Sequence, residues 1–158
     1  MSVLNIKDVT KVYEGKVTHR ALNQLSFEVE AGEFVAIMGP SGSGKTTLLN
    51  LISTIDQPTS GEIMINGVNP RSLSRNEHAY FRRRQLGFVF QDFCLIETLT
   101  VYQNIKMAFD FKSKKCGKEK IDEILSNVEM NGYGKRYPRQ LSAGQKQLLT
   151  IARAMIQN

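Results

Sequence analysis

The sequence predicts an α/β fold in which strands dominate up to about Gln91 and helices follow. Three observations support this prediction. The segment EFVAIM at 33–38 is almost wholly apolar and runs straight into a glycine-rich stretch and then a helical pattern. LSFEVE at 25–30 and GEIMING at 61–67 alternate apolar and polar residues, which is typical of half-buried strands. After Gln91, apolar residues recur at helical spacing.

The first half of the chain contains the predicted strands. Leu4, Ile6 and Val9 indicate an early strand, and the alternating segment at 61–67 predicts a short antiparallel strand between glycines. The apolar segments at 33–38 and 86–91 (LGFVFQ) predict two strands that are covered on both faces. The glycine-rich stretch is followed by a predicted helix at 45–54.

The second half contains the predicted helices. Thr100 is a candidate N-cap for a helix at 100–109, and Ser142 is a candidate N-cap for a helix at 141–156. A further helix is predicted between them because four apolar residues share one face, namely Ile121, Ile124, Leu125 and Val128. The polar, basic stretch DFKSKKCGKEK is expected to be a surface loop.

Composition narrows the class of protein. The 158 residues carry a net charge of +6, which suits an anionic partner without selecting one. Cys94 and Cys116 form no CxxC pair, and His19 and His78 lie far apart in the sequence, so neither a disulfide framework nor a metal cluster is expected. The sequence has no apolar run of membrane-spanning length and no signal-peptide core at its N-terminus, so we expect a cytoplasmic setting.

The glycine-rich stretch fits a phosphate-binding loop. Gly39, Gly44, Lys45 and Thr46 satisfy the pattern G-x-x-x-x-G-K-[ST] after a predicted strand and before a predicted helix. Bare backbone lets successive N–H groups converge on phosphate oxygens, and the helix directs its positive end at the same charge. In this pattern Lys45 reaches the terminal phosphates and the Thr46 hydroxyl helps to hold Mg²⁺. A nucleoside triphosphate is therefore the expected ligand.

A second glycine-containing turn narrows the choice among nucleotide proteins. Small-molecule kinases, GTPases and many ATPases share the first loop, which alone leaves function open. LSAGQKQ at 141–147 also opens a predicted helix and is a second candidate anion site. One nucleotide rarely needs two such helix starts, so the second would serve a nucleotide held by a neighbouring molecule.

These motifs, taken together, resemble the ATP-binding subunits of ABC transporters from end to end of the chain. The resemblance rests on GPSGSGKTT at 39–47, a glutamine closing FVFQD at 88–92, and LSAGQ at 141–145 before IARAM at 151–155. It implies a P-loop NTPase core with an antiparallel β flank and an inserted α-helical lobe. Within the family, the stretches at 53–63 and 91–105 are similar to subunits of bacitracin-type antimicrobial-peptide exporters, and the lipoprotein-release and macrolide-export subunits are the alternative.

The resemblance also implies roles for particular residues. Tyr13 would stack on adenine, and Gln91 would touch Mg²⁺ and sense the permease. The residues that would wrap the phosphates are Gly39, Pro40, Ser41, Gly42, Ser43, Gly44, Lys45, Thr46 and Thr47. The residues that would face the ATP of a partner subunit are Ser142, Ala143, Gly144 and Gln145. Two copies would lie head to tail with two ATP molecules between them, on the inner face of the membrane.

The resemblance implies one incomplete domain over 1–158. Residues 1–91 would form the core with its β flank, 92–140 the helical lobe that docks on the permease, and 141–158 the signature and its helix. The family's metal-binding Asp, catalytic Glu and switch His would follow Asn158, so the chain alone is expected to be inactive or strongly impaired. Neither His19 nor His78 is expected to replace them.

Some alternatives remain open from the sequence. Ala143 stands where the family usually has glycine, and Leu148 where many relatives carry arginine. The basic stretches at 82–84 and 112–115 lack interleaved aromatics, so a solvated face near an anionic membrane is favoured over nucleic-acid binding. The rival functions are a nucleotide-binding module that does not hydrolyse ATP, and a soluble ABC protein acting on DNA or ribosomes.

Overall fold

The computed structural model describes residues 1–110 and 117–156 of the chain. They form two compact units, Met1–Arg82 and Arg83–Asn158. The basic stretch at 112–115 and Cys116, both noted in the sequence, lie outside the described residues.

The first unit is built on an antiparallel sheet of three strands. These are β1 (Ser2–Tyr13), β2 (His19–Glu30) and β3 (Ser60–Ile65), in the spatial order β2-β1-β3. In the central strand, Ile6 is opposite Phe27 on one side and Ile63 on the other. The early strand, the strand at 25–30 and the antiparallel strand at 61–67 are therefore confirmed, and β2 begins earlier than its apolar pattern indicated.

A bulge in β1 sets which of its side chains enter the core. The register shifts between Ile6 and Val9, and Asp8 has a left-handed backbone with φ 50°. Without an irregularity, residues 6 and 9 would point to opposite faces of a strand, yet Ile6 is 2% and Val9 0% exposed. The Ser26 hydroxyl accepts a hydrogen bond from the Asp8 amide at 2.8 Å, so the bulged backbone is satisfied.

Two α-helices accompany this sheet. Helix α1 (Lys45–Ile52) follows the glycine-rich loop, as predicted, and contacts β2. Helix α2 (Arg75–Gln85) comes after a short 3-10 helix at Pro70–Ser72. The sheet and these two α-helices supply the buried hydrophobic side chains Ile6, Val9, Leu22, Leu48, Leu51, Ile63, Ile65 and Phe81.

The second unit is helical. It contains α3 (Val101–Asp110), α4 (Lys118–Asn127), a 3-10 helix at Pro138–Gln140 and α5 (Ala143–Met155). One apolar cluster unites the three α-helices, and the four residues expected on one face of α4 all belong to it. The predicted caps are also confirmed: Thr100 Oγ1 accepts from the Gln103 amide at 3.2 Å, and Ser142 Oγ accepts from the Gln145 amide at 3.3 Å.

Two predicted strands are wrong. Residues 33–38 and 86–91 have no ladder hydrogen bonds to any described strand, although both are mostly apolar. Phe34 is 96% and Met38 87% exposed, and Phe90 is 40% exposed. An apolar segment becomes a buried strand only where neighbouring strands pair with it and other layers cover it, and nothing in the described residues does so.

Arg82 corrects the interpretation of 82–84 as a wholly solvated basic stretch. Its guanidinium donates to the carbonyl oxygen of Thr54 at 3.3 Å, within the first unit.

Helices of the described ranges all fall short of the length and apolarity needed to cross a membrane.

Candidate phosphate-binding site

The loop from Gly39 to Gly44 has the backbone expected of a phosphate-binding loop. Gly42 and Gly44 adopt left-handed conformations with φ 81° and 91°, a region that favours glycine. Ser43 N donates to the Pro40 carbonyl at 3.3 Å and closes the turn. Helix α1 begins immediately afterwards, so its first amides are directed towards the loop.

Gly44 also brings the start of α1 close to the sheet. A Cβ built on Gly44 would lie 2.5 Å from the Ala21 carbonyl oxygen and 2.9 Å from Leu22 Cδ2. No side chain fits there without moving the loop away from β2. Gly44 has no side chain with which to cap α1, and the first turn of α1 holds no acidic residue. The positive helix end is therefore available to an anion.

The Lys45 side chain folds back over the loop. Its Nζ donates to the carbonyl oxygens of Gly39 at 2.8 Å and Pro40 at 2.7 Å, and lies 3.5 Å from Ser43 Oγ. The ammonium is thus held by neutral oxygens directly above the turn. Anionic phosphate oxygens bind an ammonium more strongly than carbonyl oxygens do, because the hydrogen bond is then charge-assisted on both sides.

An open cavity of about 520 Å³ lies beside this loop. Its lining brings the loop and the start of α1 together with the ends of β1 and β2, and consists of Tyr13, His19, Ala21, Ser41, Gly42, Gly44, Lys45, Thr46 and Thr47. Thr46, at the first turn of α1, lines the cavity, and its hydroxyl could serve as an oxygen ligand for a hard cation. The structure thus brings Tyr13 and the phosphate loop to one cavity.

Tyr13 is fixed at its hydroxyl end. Its OH donates to Asp56 Oδ2 at 3.0 Å, while Lys11 Nζ donates to Asp56 Oδ1 at 2.7 Å. Burial raises the pKa of Asp56, but hydrogen bonds from Lys11, the Gln57 amide and Tyr13 together outweigh it, so the net pKa is lowered. Asp56 is therefore ionised at neutral pH, and Tyr13 is bonded to a carboxylate.

Gln91 lies in the second unit, exposed at the start of an irregular loop. Arg153 of α5 donates to the carbonyl oxygens of Phe93 at 2.9 Å and Cys94 at 2.7 Å. Further along, the buried Asn104 side chain accepts from the Ile96 amide at 3.0 Å and donates to the Ile96 carbonyl at 3.1 Å. The loop after Gln91 is therefore held by side chains of α3 and α5, although it has no regular structure.

The turn at Ser142 is exposed at the start of α5. Ser142 and Gln145 form a reciprocal capping box, with Ser142 N donating to Gln145 Oε1 at 3.0 Å. Ala143 is absent from the positions with positive φ, so its methyl group causes no backbone strain. A Cβ on Gly144 would meet no atom within 4 Å in the described residues, so the turn leaves room for another group.

The site contains residues that the sequence did not single out. Lys11 and Asp56 hold Tyr13, and His19, for which the sequence predicts no role at this site, lines the cavity. Lys11 and Tyr13 are two residues apart in a strand and therefore share a face, so their proximity could have been predicted from the sequence. Asp56 and His19 reach Tyr13 and the cavity through tertiary contacts that no spacing indicates.

Comparison with known families identifies a match over most of the chain. The model of the ABC transporter family matches residues 22–158. The chain is similar to the ABC transporter ATP-binding protein YxdL of Bacillus subtilis, with 48% identity over 98% of this chain and 61% of that protein. It is also similar to the bacitracin export ATP-binding protein BceA of Halalkalibacterium halodurans, with 40% identity over 99% of this chain and 63% of that protein.

Comparison with solved structures gives the same result for the fold. A dimeric structure of a post-hydrolysis state of the ATP-binding cassette MJ0796, bound to ADP and Pi, superposes with a TM-score of 0.89. The match has 40% sequence identity and covers 98% of this chain and 70% of that one. The mixed α/β class, with an antiparallel sheet and helices, is thereby confirmed. The chain spans about three fifths of the length of curated relatives such as YxdL and YvcR of Bacillus subtilis.

Proposed function

Because the chain belongs to the ABC transporter family of ATP-binding proteins, we propose that it binds ATP with Mg²⁺ at the loop 39–47. The observation that carries this proposal is the position of Lys45. Its ammonium lies over the left-handed turn, next to the uncapped start of α1, and lines an open cavity. A triphosphate in that cavity meets a cation and a positive helix end together.

Mg²⁺ and the adenine base would be held by residues of this cavity, and the family resemblance adds Gln91, from the second unit, as a proposed metal ligand. Thr46 supplies a hydroxyl for Mg²⁺, and Gln91 an amide oxygen, both of which are ligand types that this cation accepts. Bound Mg²⁺ would neutralise charge on the phosphates. Tyr13, a residue that is 40% exposed, offers a ring on which adenine can stack.

The signature turn is proposed to act on the nucleotide of a second copy. Ser142, Ala143 and Gly144 are exposed, and the start of α5 carries no acidic side chain in its first turn. An exposed, positive helix start of this kind suits the terminal phosphate of a neighbouring ATP, together with Gln145. The similar cassette MJ0796 is dimeric with ADP and Pi bound, which supports a dimer here, and we propose that its two copies lie head to tail.

The transport role is proposed at two levels. The complete protein would hydrolyse ATP to drive a membrane permease, peripheral to the cytoplasmic face of the membrane, with the helical lobe at 92–140 docked on the permease. Export of antimicrobial peptides of the bacitracin type is supported by similarity to BceA. A lipoprotein-release or macrolide-export role remains the alternative at this level, because substrate choice resides mostly in the permease.

The chain itself is proposed to bind ATP without appreciable turnover. The lining of the cavity, within the residues that the structure describes, has no carboxylate that could polarise an attacking water. A positioned general base contributes about 10²–10⁴ in rate. This favours the nucleotide-binding module as the activity of the 158-residue chain, and ATP hydrolysis as the activity of the complete protein.

One experiment separates these possibilities. Purified chain is incubated with Mg²⁺ and ATP, and bound nucleotide and released phosphate are both measured, with Lys45→Ala as the matched variant. We expect saturable binding by the parent, weak binding by the variant, and phosphate release equal in the two. Steady release by the parent alone would contradict the non-hydrolysing module, and absence of binding by the parent would contradict the nucleotide site.

A further inference from the structure

The carboxylate of Asp56 is the centre of a hydrogen-bond network at the edge of the cavity. Oδ1 accepts from Lys11 Nζ at 2.7 Å and from the Gln57 amide at 2.7 Å, and Oδ2 accepts from the Tyr13 hydroxyl at 3.0 Å. Lys11 Nζ also donates to the Gln57 carbonyl at 2.8 Å. Both carboxylate oxygens are therefore engaged, and the network ties β1 to the segment that follows α1.

Lys11 and Asp56, which hold Tyr13, are less exposed than Tyr13 itself. The Lys11 side chain is 12% exposed and that of Asp56 31%, whereas Tyr13 is 40% exposed. A partly buried ion pair is screened less by solvent and salt than a pair on the surface. The hydroxyl end of Tyr13 is thus anchored while its ring remains accessible.

The Lys11 ammonium also covers one face of that ring. Nζ lies 4.9 Å from the centroid of Tyr13, within the distance at which a cation is attracted by an aromatic face. A flat ligand cannot stack on a face that the ammonium occupies. The opposite face is left for stacking, so the network fixes both the position of the ring and the side on which a ligand can approach.

We infer that Lys11 and Asp56 are positioning residues that hold Tyr13 as a one-faced platform for the base of the nucleotide, an inference that rests on the proposed function. Without them the ring regains its rotamer freedom, which binding must then remove. The contribution of the base to nucleotide affinity then decreases, whereas the contribution of the phosphates, which the loop 39–47 would hold, does not change. Lys11 and Asp56 therefore contribute to recognition of the base alone.

The experiment compares ATP with inorganic tripolyphosphate, which has the same phosphates and no base. Dissociation constants are measured with Mg²⁺ by calorimetry for the purified chain and for Asp56→Asn, Lys11→Met and Tyr13→Phe. Each variant is expected to weaken ATP about three- to tenfold and to leave tripolyphosphate within about twofold of the parent. Tyr13→Ala, which removes the stacking ring, is expected to weaken ATP about ten- to hundredfold.

Further variants distinguish a loss of positioning from a general loss of positive charge and from unfolding. Lys120→Met removes an exposed ion pair, in which Lys120 Nζ lies 2.8 Å from Glu123, at a position far from Tyr13 in the sequence. It is expected to leave the dissociation constants of ATP and of tripolyphosphate unchanged. Asp56→Glu keeps a carboxylate and is expected to recover part of the ATP affinity. Tyr13→Phe keeps the ring and loses only the hydroxyl, so it reports on the anchor even where Asp56→Asn unfolds the chain.

The outcomes distinguish this inference from the function on which it rests. Equal weakening of ATP and tripolyphosphate, or no change in ATP for Lys11→Met and Tyr13→Phe, overturns the positioning role and leaves the phosphate site standing. Failure of the parent to bind either compound overturns the proposed function itself, and the positioning role with it.

Discussion

The guanidinium of Arg153, near the end of α5, donates a hydrogen bond to the main-chain carbonyl oxygen of Cys94 at 2.7 Å. A second bond reaches the carbonyl of the preceding residue, Phe93, at 2.9 Å. Both loop residues have left-handed backbones, with φ 46° and 58°. Burial lowers the pKa of Arg153, whose ordinary value is high enough to keep it charged at neutral pH. One arginine thus stabilises a loop conformation that the backbone alone disfavours.

The first prediction concerns this arginine. Arg153→Lys removes the planar fork that serves both carbonyls, so the loop after Gln91 should open more often. We expect the amide of Ile96, which is bonded to Asn104 in this loop, to exchange with deuterated water about tenfold faster, because about 1.4 kcal/mol of lost local stability is a factor of ten. Arg83→Lys, at an exposed position, serves as the control. Equal exchange rates in the parent and Arg153→Lys would contradict the role of the fork.

The second prediction concerns Asn104, which is 0% exposed. Its side chain bonds the Ile96 amide and the carbonyls of Ile96, Leu99 and Thr100. Asn104→Ala leaves the Ile96 amide and the Ile96 and Leu99 carbonyls without this partner, at a cost of about 2–4 kcal/mol in the free energy of unfolding. Urea titration followed by helical circular dichroism measures it, with the exposed Asn131→Ala as control. If Asn104→Ala lowers the free energy of unfolding no more than Asn131→Ala does, water replaces the Asn104 side-chain amide and the prediction is wrong.

The third prediction compares two phenylalanines. Phe34 is 96% exposed and Phe81 is 7% exposed. Phe34→Ala should change the free energy of unfolding by less than about 0.5 kcal/mol, whereas Phe81→Ala should cost about 3–5 kcal/mol. Thermal or urea unfolding of both variants measures the difference. A large cost for Phe34→Ala would restore the buried strand that the sequence predicts at 33–38.

The fourth prediction concerns pH. The pKa of Asp56 is lowered in the folded chain, so its ionised form contributes stability that is present above the unfolded-state pKa and is lost as pH falls through the folded-state value. Asp56→Asn removes this contribution. On the acid side, the slope of the unfolding free energy against pH reports the number of protons taken up on unfolding, at about 1.36 kcal/mol per pH unit for one proton. We expect this slope to be smaller in Asp56→Asn than in the parent, by less than the value for one proton. Parallel acid-side slopes in parent and variant would contradict the network around Asp56.

Helices that depend on nearby residues in the sequence, and strands that pair in the antiparallel sheet, were predictable from the sequence. Thr100 and Ser142 cap helices because their hydroxyls reach amides three residues ahead, and the apolar face of α4 follows from spacing. The segments 33–38 and 86–91 were not predictable in the same way, because an apolar run specifies a strand only together with its partners. The left-handed turn at 39–44 was predictable from its glycines, whereas Asp56 reaches Tyr13 from more than 40 residues away in sequence.

The central claim is that the loop 39–47 holds the phosphates of ATP through Lys45. The most direct test is the dissociation constant of Mg²⁺-ATP for the purified chain and for Lys45→Ala, measured side by side, with Lys120→Met as a control that removes the same charge elsewhere. We predict that Lys45→Ala weakens binding at least tenfold, because it removes a charge-assisted contact worth about 1.5–3 kcal/mol, and that the control binds like the parent. Equal affinity of Lys45→Ala and the parent would contradict the claim.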